Sequence, residues 1–483
     1  MDFLQPFIPW KRLIVGFSIT QYLFESYLSL RQYRVLQATK PPKSLEGTVS
    51  QEDYDKSQAY GRAKAKFGFF MGFYNQVQNL GFIYFDVLPK VWALTGLLQE
   101  RYVPSRYAGE ISHSLLFFLA FNLIGAVFST PTSWYYNFVL EEKFGFNKQT
   151  PKLFITDLLK YQFLMFTLGS PTLCGFLKII QKTGTGFFYY LWLFAVVLQI
   201  FAITIYPILI LPLFNKLSPL DEGDLKAGVE ALARRLKFPL NQLYVIDGSK
   251  RSAHSNAYFY GLPWKKHIVI YDTLIEGNET EEVVAVLAHE LGHWSLSHTT
   301  KLLGISQFHL FYVFALFSVF INNRSLYQAF GFYGEMPIVI GFILFSDALT
   351  PMDTVVKLFM NILSRKYEFE AGLSLIAMKF RKTGQECLEK KKKTDGRCLD
   401  AFAVKLGYSA ALARSLIKLQ IQNLSTMDAD WVYASYHFSH PILPERLGAL
   451  GWYGEKNKEL REQMDASKKK DEATVLKAGD REL

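Results

Sequence analysis

His289-Glu290-Leu291-Gly292-His293 is the stretch on which the reading of this chain turns. It lies inside Glu279–Leu303, which reads as one helix. Val283, Val284, Val286, Leu287 and Leu291 give that helix an apolar face, and Asn278 with Glu281 matches a capping box at its start. At about 3.6 residues per turn, positions four apart share a face, so His289 and His293 can reach one ion together. Glu290 sits beside them and can reach a water on that ion. Two neutral imidazoles that hold zinc, with a carboxylate as general base, is the chemistry of the H-E-x-x-H pattern. The pattern is short, and chance can place it on a surface helix, so the surrounding chain has to decide.

The composition points to a membrane. Half of the 483 residues are apolar, 16% are aromatic and only 20% are charged. The apolar residues come in seven blocks: Ile8–Leu30, Phe67–Leu98, Ser114–Tyr136, Tyr161–Ile180, Phe187–Phe214, Ile305–Ile321 and Pro337–Leu363. Each is long enough, or nearly so, to cross roughly 30 Å of hydrocarbon. The expectation is a mainly α polytopic protein with seven transmembrane helices. Asn75, Gln76, Gln78, Asn79 and Asp86 interrupt the second block, and polar residues at that depth usually face a cavity. The net charge of +10 carries no nucleic-acid motif with it. Lys and Arg after the first and third blocks place those loops in the cytosol and the N-terminus in the lumen. Counting onward, the H-E-x-x-H helix and everything after the seventh block face the cytosol. Three cysteines, Cys174, Cys387 and Cys398, make neither a disulfide framework nor a Cys-x-x-Cys metal site. The first apolar block reads as a retained anchor, not a cleaved signal.

Between the fifth and sixth blocks, Asp221–Leu236 reads as an amphipathic helix. Leu243–Asp247, Asn256–Tyr260 and His267–Tyr271 read as strands, the last two joined through Gly261 and Pro263. A small sheet followed by a metal-binding helix is the layout of zinc-peptidase cores. The chain therefore divides into 1–215 (spans one to five), 216–304 (first part of the core), 305–363 (spans six and seven), 364–452 (second part of the core) and 453–483 (a charged tail).

A catalytic zinc needs a third protein ligand. Glu368, which opens a helical pattern just past the seventh span on the cytosolic side, is the best candidate; a glutamate there is more often a cap or a solvated charge. Asn256 could pair with an extended substrate backbone, although asparagine at a strand start is commonly a turn residue. His440 could donate to a substrate carbonyl, and Arg446 could orient it or bind a carboxylate; a structural His and a solvated Arg are the plainer alternatives. His298, five residues after His293, falls off the ligand face of a continuous helix.

The chain resembles the type I CAAX prenyl proteases, integral-membrane zinc metallopeptidases, over nearly its whole length. The motifs that carry the resemblance are Glu141-Glu142-Lys143-Phe144-Gly145-Phe146-Asn147, Gly248-Ser249-Lys250-Arg251-Ser252 with His254-Ser255-Asn256-Ala257-Tyr258-Phe259, Ala288-His289-Glu290-Leu291-Gly292-His293-Trp294, and Ser439-His440-Pro441 to Glu445-Arg446-Leu447. The resemblance implies seven helices around an intramembrane chamber, with a zincin-like core facing inward. It implies one zinc held by His289, His293 and Glu368, with Glu290 as general base. Asn256 and His440 would contact the substrate backbone, and Arg446 would support them. Implied substrates are farnesylated or geranylgeranylated C-a-a-X proteins in a lipid membrane, cut after the prenylated Cys to release three residues, with a second upstream cut in some precursors. The implied location is the endoplasmic reticulum and inner nuclear membrane.

One departure is large. The family reads Glu-x-x-Ala-Asp-Ala at the third ligand, whereas here Glu368-Phe369-Glu370-Ala371 is separated from Asp400-Ala401 by the 28 residues Gly372–Leu399. Rejoined, Asp400 would stand four after Glu368 and could hold a zinc-bound imidazole in its tautomer. The inserted piece contains eight Lys/Arg, three Asp/Glu and two of the cysteines, and lacks the surrounding periodicity. It reads as a translated retained intron that keeps frame, against a genuine surface insertion. Two competing functions follow: a membrane quality-control zinc protease, and a membrane scaffold whose catalysis the insertion has impaired.

Overall fold

The computed structural model describes residues 8–371, 408–450 and 452. Helices α1 (Trp10–Val35), α2 (Gln51–Tyr84), α3 (Val87–Tyr102), α4 (Glu110–Tyr135), α5 (Pro151–Leu164), α6 (Ser170–Thr183), α7 (Phe187–Ile205) and α8 (Leu211–Phe214) come first. The run from α5 to α8 turns back on itself at Gly184–Gly186, where Gly184 has φ +57°. Leu97, Val127, Phe163, Ile208, Phe308 and Phe359 all point outward. Large apolar side chains turned away from the protein are what a lipid solvent selects.

All seven expected blocks fall on helices. Length and apolarity together qualify four continuous helical runs among the described residues, or five with a bent pair. The number seven is not established by that measure. The second block is not one straight helix: α2 and α3 meet at 63°. Asp86 breaks the run, with φ +49° and a 2.7 Å ion pair to Lys11. Of the five polar residues expected to face a cavity, Asn75, Gln78, Asn79 and Asp86 line a pocket of about 340 Å³, while Gln76 accepts instead from Ser18 Oγ at 3.1 Å.

The sheet follows: β1 (Leu217–Pro219), then α9 (Asp224–Leu236), β2 (Leu240–Ile246), β3 (Ala257–Leu262) and β4 (Lys265–Tyr271). Its order is β1-β2-β4-β3, with β2 and β4 parallel and the β3–β4 hairpin antiparallel (Ala257 opposite Ile270). Ile268, Val269 and Ile270 of β4 are all buried. Ile268 and Ile270 join the core under α9, while Val269 packs with Leu211 at the end of the membrane helices. A strand covered on both faces reads as an unbroken apolar run.

Next come α10 (Asp272–Gly277), α11 (Thr280–Ser295), α12 (His298–Phe320), α13 (Arg324–Ala329), α14 (Ile338–Ala371), α15 (Ser409–Gln422), α16 (Trp431–His437) and α17 (Leu443–Ala449). Helix α11 carries the H-E-x-x-H residues. Its capping box is Glu279 with Glu282, one residue on from the expected Asn278 and Glu281. Asn278 instead donates to the Leu274 carbonyl and accepts from Ser415. The expected single helix ends at Leu296, because Ser297 adopts φ +56° and starts α12 in a new direction. Glu368 does not open a new helix. It lies near the end of α14, which runs from the last apolar block without a break.

Helix α11 is fixed to α15 through Glu282, which is 1% exposed and accepts from Lys418 at 2.7 Å. Burial pushes the Glu282 carboxyl up, but Lys418, the Glu279 backbone N–H and Arg414 outweigh it and hold it below the ordinary 4.5. The charged form therefore favours the fold above about pH 4.5, and that contribution fades as pH falls through the lowered folded-state value. Glu282→Gln is expected to cost about 1–3 kcal/mol at neutral pH and to flatten the loss of stability in acid, read by thermal unfolding in detergent. An unchanged melting temperature and acid profile would contradict this role.

Candidate metal centre

Leu287, Ala288 and Leu291 anchor α11 in the core, which turns His289 and His293 out along the opposite face. The two Nε2 atoms stand 3.3 Å apart. Glu368 arrives from α14, with Oε2 3.2 Å from His289 Nε2 and Oε1 3.3 Å from His293 Nε2. The structure thus brings together the three residues expected to share an ion, with their donor atoms within 4.8 Å of one another. Ligands at about 2.0–2.1 Å from a tetrahedral ion stand about 3.4 Å apart, so the observed spacings suit zinc. Burial lowers the pKa of His289, against the pull of the Glu368 carboxylate, and Arg446 adds to the lowering. A neutral imidazole keeps the lone pair that a metal needs.

Two elements bring further groups. Helix α14 clamps α17 through Arg365, which donates to both Glu445 oxygens at 2.9 and 2.8 Å. That places Arg446, whose Nη2 points at His289 Nε2 from 3.3 Å, and the preceding loop that bears His440. His440 Nδ1 lies 2.7 Å from Glu368 Oε1. The contact to Glu368 raises the His440 pKa, against desolvation. Glu290 is half-buried and makes no hydrogen bond or ion pair among the described residues, so its carboxylate is free to take a proton.

Asn256 is not hydrogen-bonded to the imidazole pair. It is exposed at the entry to β3, where its Oδ1 accepts from the Ala257 N–H at 2.8 Å. The strand it introduces is an edge strand near α11, so one row of backbone groups is open. Asp400 and the segment Gly372–Leu399 lie outside the described residues.

His298 is the residue that sequence reasoning set aside. The break at Ser297 swings it back, and its Nδ1 lies 3.2 Å from His293 Nδ1. It is 1% exposed and stacked on Tyr367, the neighbour of Glu368, at 4.3 Å. The available signal in the sequence is the polar Ser297 directly before it. A metal-binding imidazole donates its other N–H to such a partner. In that arrangement His293 Nδ1–H donates to His298 Nδ1.

A cavity of about 780 Å³ opens beside this cluster, with His440 and Arg446 on its wall. His254, from one of the motifs that carry the family resemblance, is on the cavity wall, and a second such motif packs behind it. Asn147 bridges to Ser252, Phe146 stacks on His254 at 4.1 Å, and Arg251 donates to Asp157 through two nitrogens. Tyr60 donates to Glu141 Oε1 at 2.6 Å, and His254 Nε2 lies 3.4 Å from Glu141 Oε2.

Comparison with known proteins agrees with this geometry. The family described as CAAX prenyl protease N-terminal, five membrane helices, matches residues 32–216, and peptidase family M48 matches residues 219–452. CAAX prenyl protease 1 of Saccharomyces cerevisiae is 45% identical over 470 residues, which cover 94% of this chain and 98% of the yeast protein. The Arabidopsis thaliana and Homo sapiens CAAX prenyl protease 1 homologs are 41% and 37% identical, each over 92% of this chain and over 98% and 96% of their own. The crystal structure of S. mikatae Ste24p matches with a TM-score of 0.83 at 44% identity, over 92% of this chain and all of that one.

Replacing His298 by Ala is expected to weaken zinc retention by about ten- to a hundredfold, measured by competition with a coloured chelator. Unchanged retention would mean that the His293–His298 contact does not support the metal.

Proposed function

The chain belongs to peptidase family M48, among the CAAX prenyl proteases, and from that premise we infer a zinc-dependent endopeptidase acting on the C-terminal tails of isoprenylated CAAX proteins. It is a multi-pass membrane protein and a metalloendopeptidase. The observation that carries the finer reading is the convergence of His289, His293 and Glu368 on one small space at the edge of a cavity. These three residues would hold the ion. When bound, zinc polarises a carbonyl and lowers the pKa of a water to about 7.

Glu290 takes the proton from the attacking water and returns it to the leaving nitrogen, the double duty of a general base with no competing partner. His440 is anchored through Nδ1 on Glu368, which leaves Nε2 to donate to a substrate carbonyl as charge grows on its oxygen. The edge of β3, starting at Asn256, offers backbone groups to an extended peptide. Arg446, on α17, stands beside the His289 ring and next to the space the ion would fill. In this reading the cut falls after the prenylated Cys and releases three residues, with a second upstream cut in some prenylated precursors. The Lys- and Arg-bearing loops support an endoplasmic-reticulum orientation with the site toward the cytosol and the N-terminus in the lumen. In this reading the described residues of 216–304 and 364–452 belong to the two parts of the peptidase core, and the described helices of 1–215 and 305–363 to its membrane frame.

Purified protein in detergent is expected to cleave a farnesylated C-a-a-X peptide and to stop when zinc is chelated. Glu290→Gln should keep about one zinc per chain and lose at least about a hundredfold in rate, followed by mass spectrometry of the released tripeptide. A fully active Glu290→Gln protein would contradict the assignment.

A further inference from the structure

The walls of the 780 Å³ cavity are one-sided in charge. Among the described residues that line it, Lys64 and Arg446 are cationic, while no Asp or Glu lines it. Glu141 lies behind this surface, with its oxygens facing Tyr60 and His254, and is 6% exposed. Lys64 has no carboxylate partner among the described residues; its ammonium stands 5.0 Å from the centre of the Tyr60 ring. Tyr60 is itself 3% exposed and fixed by Glu141, so the platform beneath the ammonium is rigid. A cation over an aromatic face with no counter-ion is a ready anion site.

The two cations come from different helices, α2 and α17. Arg446 touches His289 and so stands beside the bond that is cut. The free carboxylate of a C-a-a-X tail lies three residues beyond that bond, roughly 10 Å along an extended chain. Lys64 is on a different wall, contributed by α2, and faces the same cavity. The volume lies in the range that encloses a small ligand of tripeptide size. A cavity lined this way attracts an anion and repels a positively charged tail.

We propose that Lys64 is a specificity-determining residue that binds the C-terminal α-carboxylate of the substrate, so that in the cut that releases the last three residues the enzyme measures the distance from the free chain end. This rests on the proposed C-a-a-X activity. It accounts for selection of chain ends by a peptidase whose metal cluster by itself would cut any extended segment.

The test compares two farnesylated C-a-a-X peptides of one sequence, one ending in a free acid and one in a primary amide, with the zinc-loaded full-length protein. The wild-type protein is expected to favour the acid by about tenfold or more in kcat/KM, mainly through KM. In Lys64→Gln that ratio should fall to about one, and Lys64→Arg should restore it, which separates lost charge from lost folding. Equal cleavage of acid and amide by wild-type protein overturns the inference and leaves the proposed activity standing. A preference that survives in Lys64→Gln also overturns it. Cleavage of neither peptide overturns the activity, and the inference with it.

Discussion

The Glu368 carboxylate is the group around which the rest has to be arranged. It is 6% exposed and sits near the end of a long apolar helix, where an uncompensated negative charge would cost several kcal/mol or more. Two imidazole nitrogens at 3.2 and 3.3 Å and a third histidine at 2.7 Å surround it. The His289 imidazole, which burial holds toward its neutral form, stabilises that charge only in part. A divalent cation in the same space satisfies all three ligands at once, which makes ion binding and local folding one event.

The fold brings His289, His293 and Glu368 together from two distant parts of the chain. Helix α14 brings Glu368 up from the membrane and, one turn earlier, uses Arg365 to clamp α17 with Arg446 and the adjoining His440 loop. Helix α11 is held at its start by the Glu279–Glu282 cap and by Lys418. At its end the turn at Ser297 presents His298 to His293. The loop after α1 and the start of α2 complete the enclosure: Leu45, Val49 and Tyr54 share a core with Leu412, Leu416 and Leu443. Burying each such side chain is worth about 1.5–3 kcal/mol.

Local chemistry was legible in the sequence and chain reversals were not. The H-E-x-x-H pattern needs only helical periodicity, and α11 obeys it. The strands of the core also stood out, within a few residues, because their apolar runs are bounded by Gly, Pro and Asp. The short strand Leu217–Pro219 escaped, since three residues with a proline carry no period. Treating Glu279–Leu303 as one helix put His298 on the wrong face, and a single positive-φ serine undid that. A similar left-handed residue, Asp86, split the second apolar block. Both breaks depend on a backbone state that ordinary residues adopt only when tertiary contacts favour it. Glu368 lies 79 positions from His289, so its candidacy came from topology and was strengthened by resemblance.

The most direct measurement of the central claim is the zinc content of purified protein with and without the Glu368 carboxylate. The account expects about one tightly held zinc per chain in the wild type, and loss of most of it after dialysis of Glu368→Ala, while the helical circular dichroism signal persists. A Glu368→Ala protein that retains its full zinc would contradict the shared-ion arrangement.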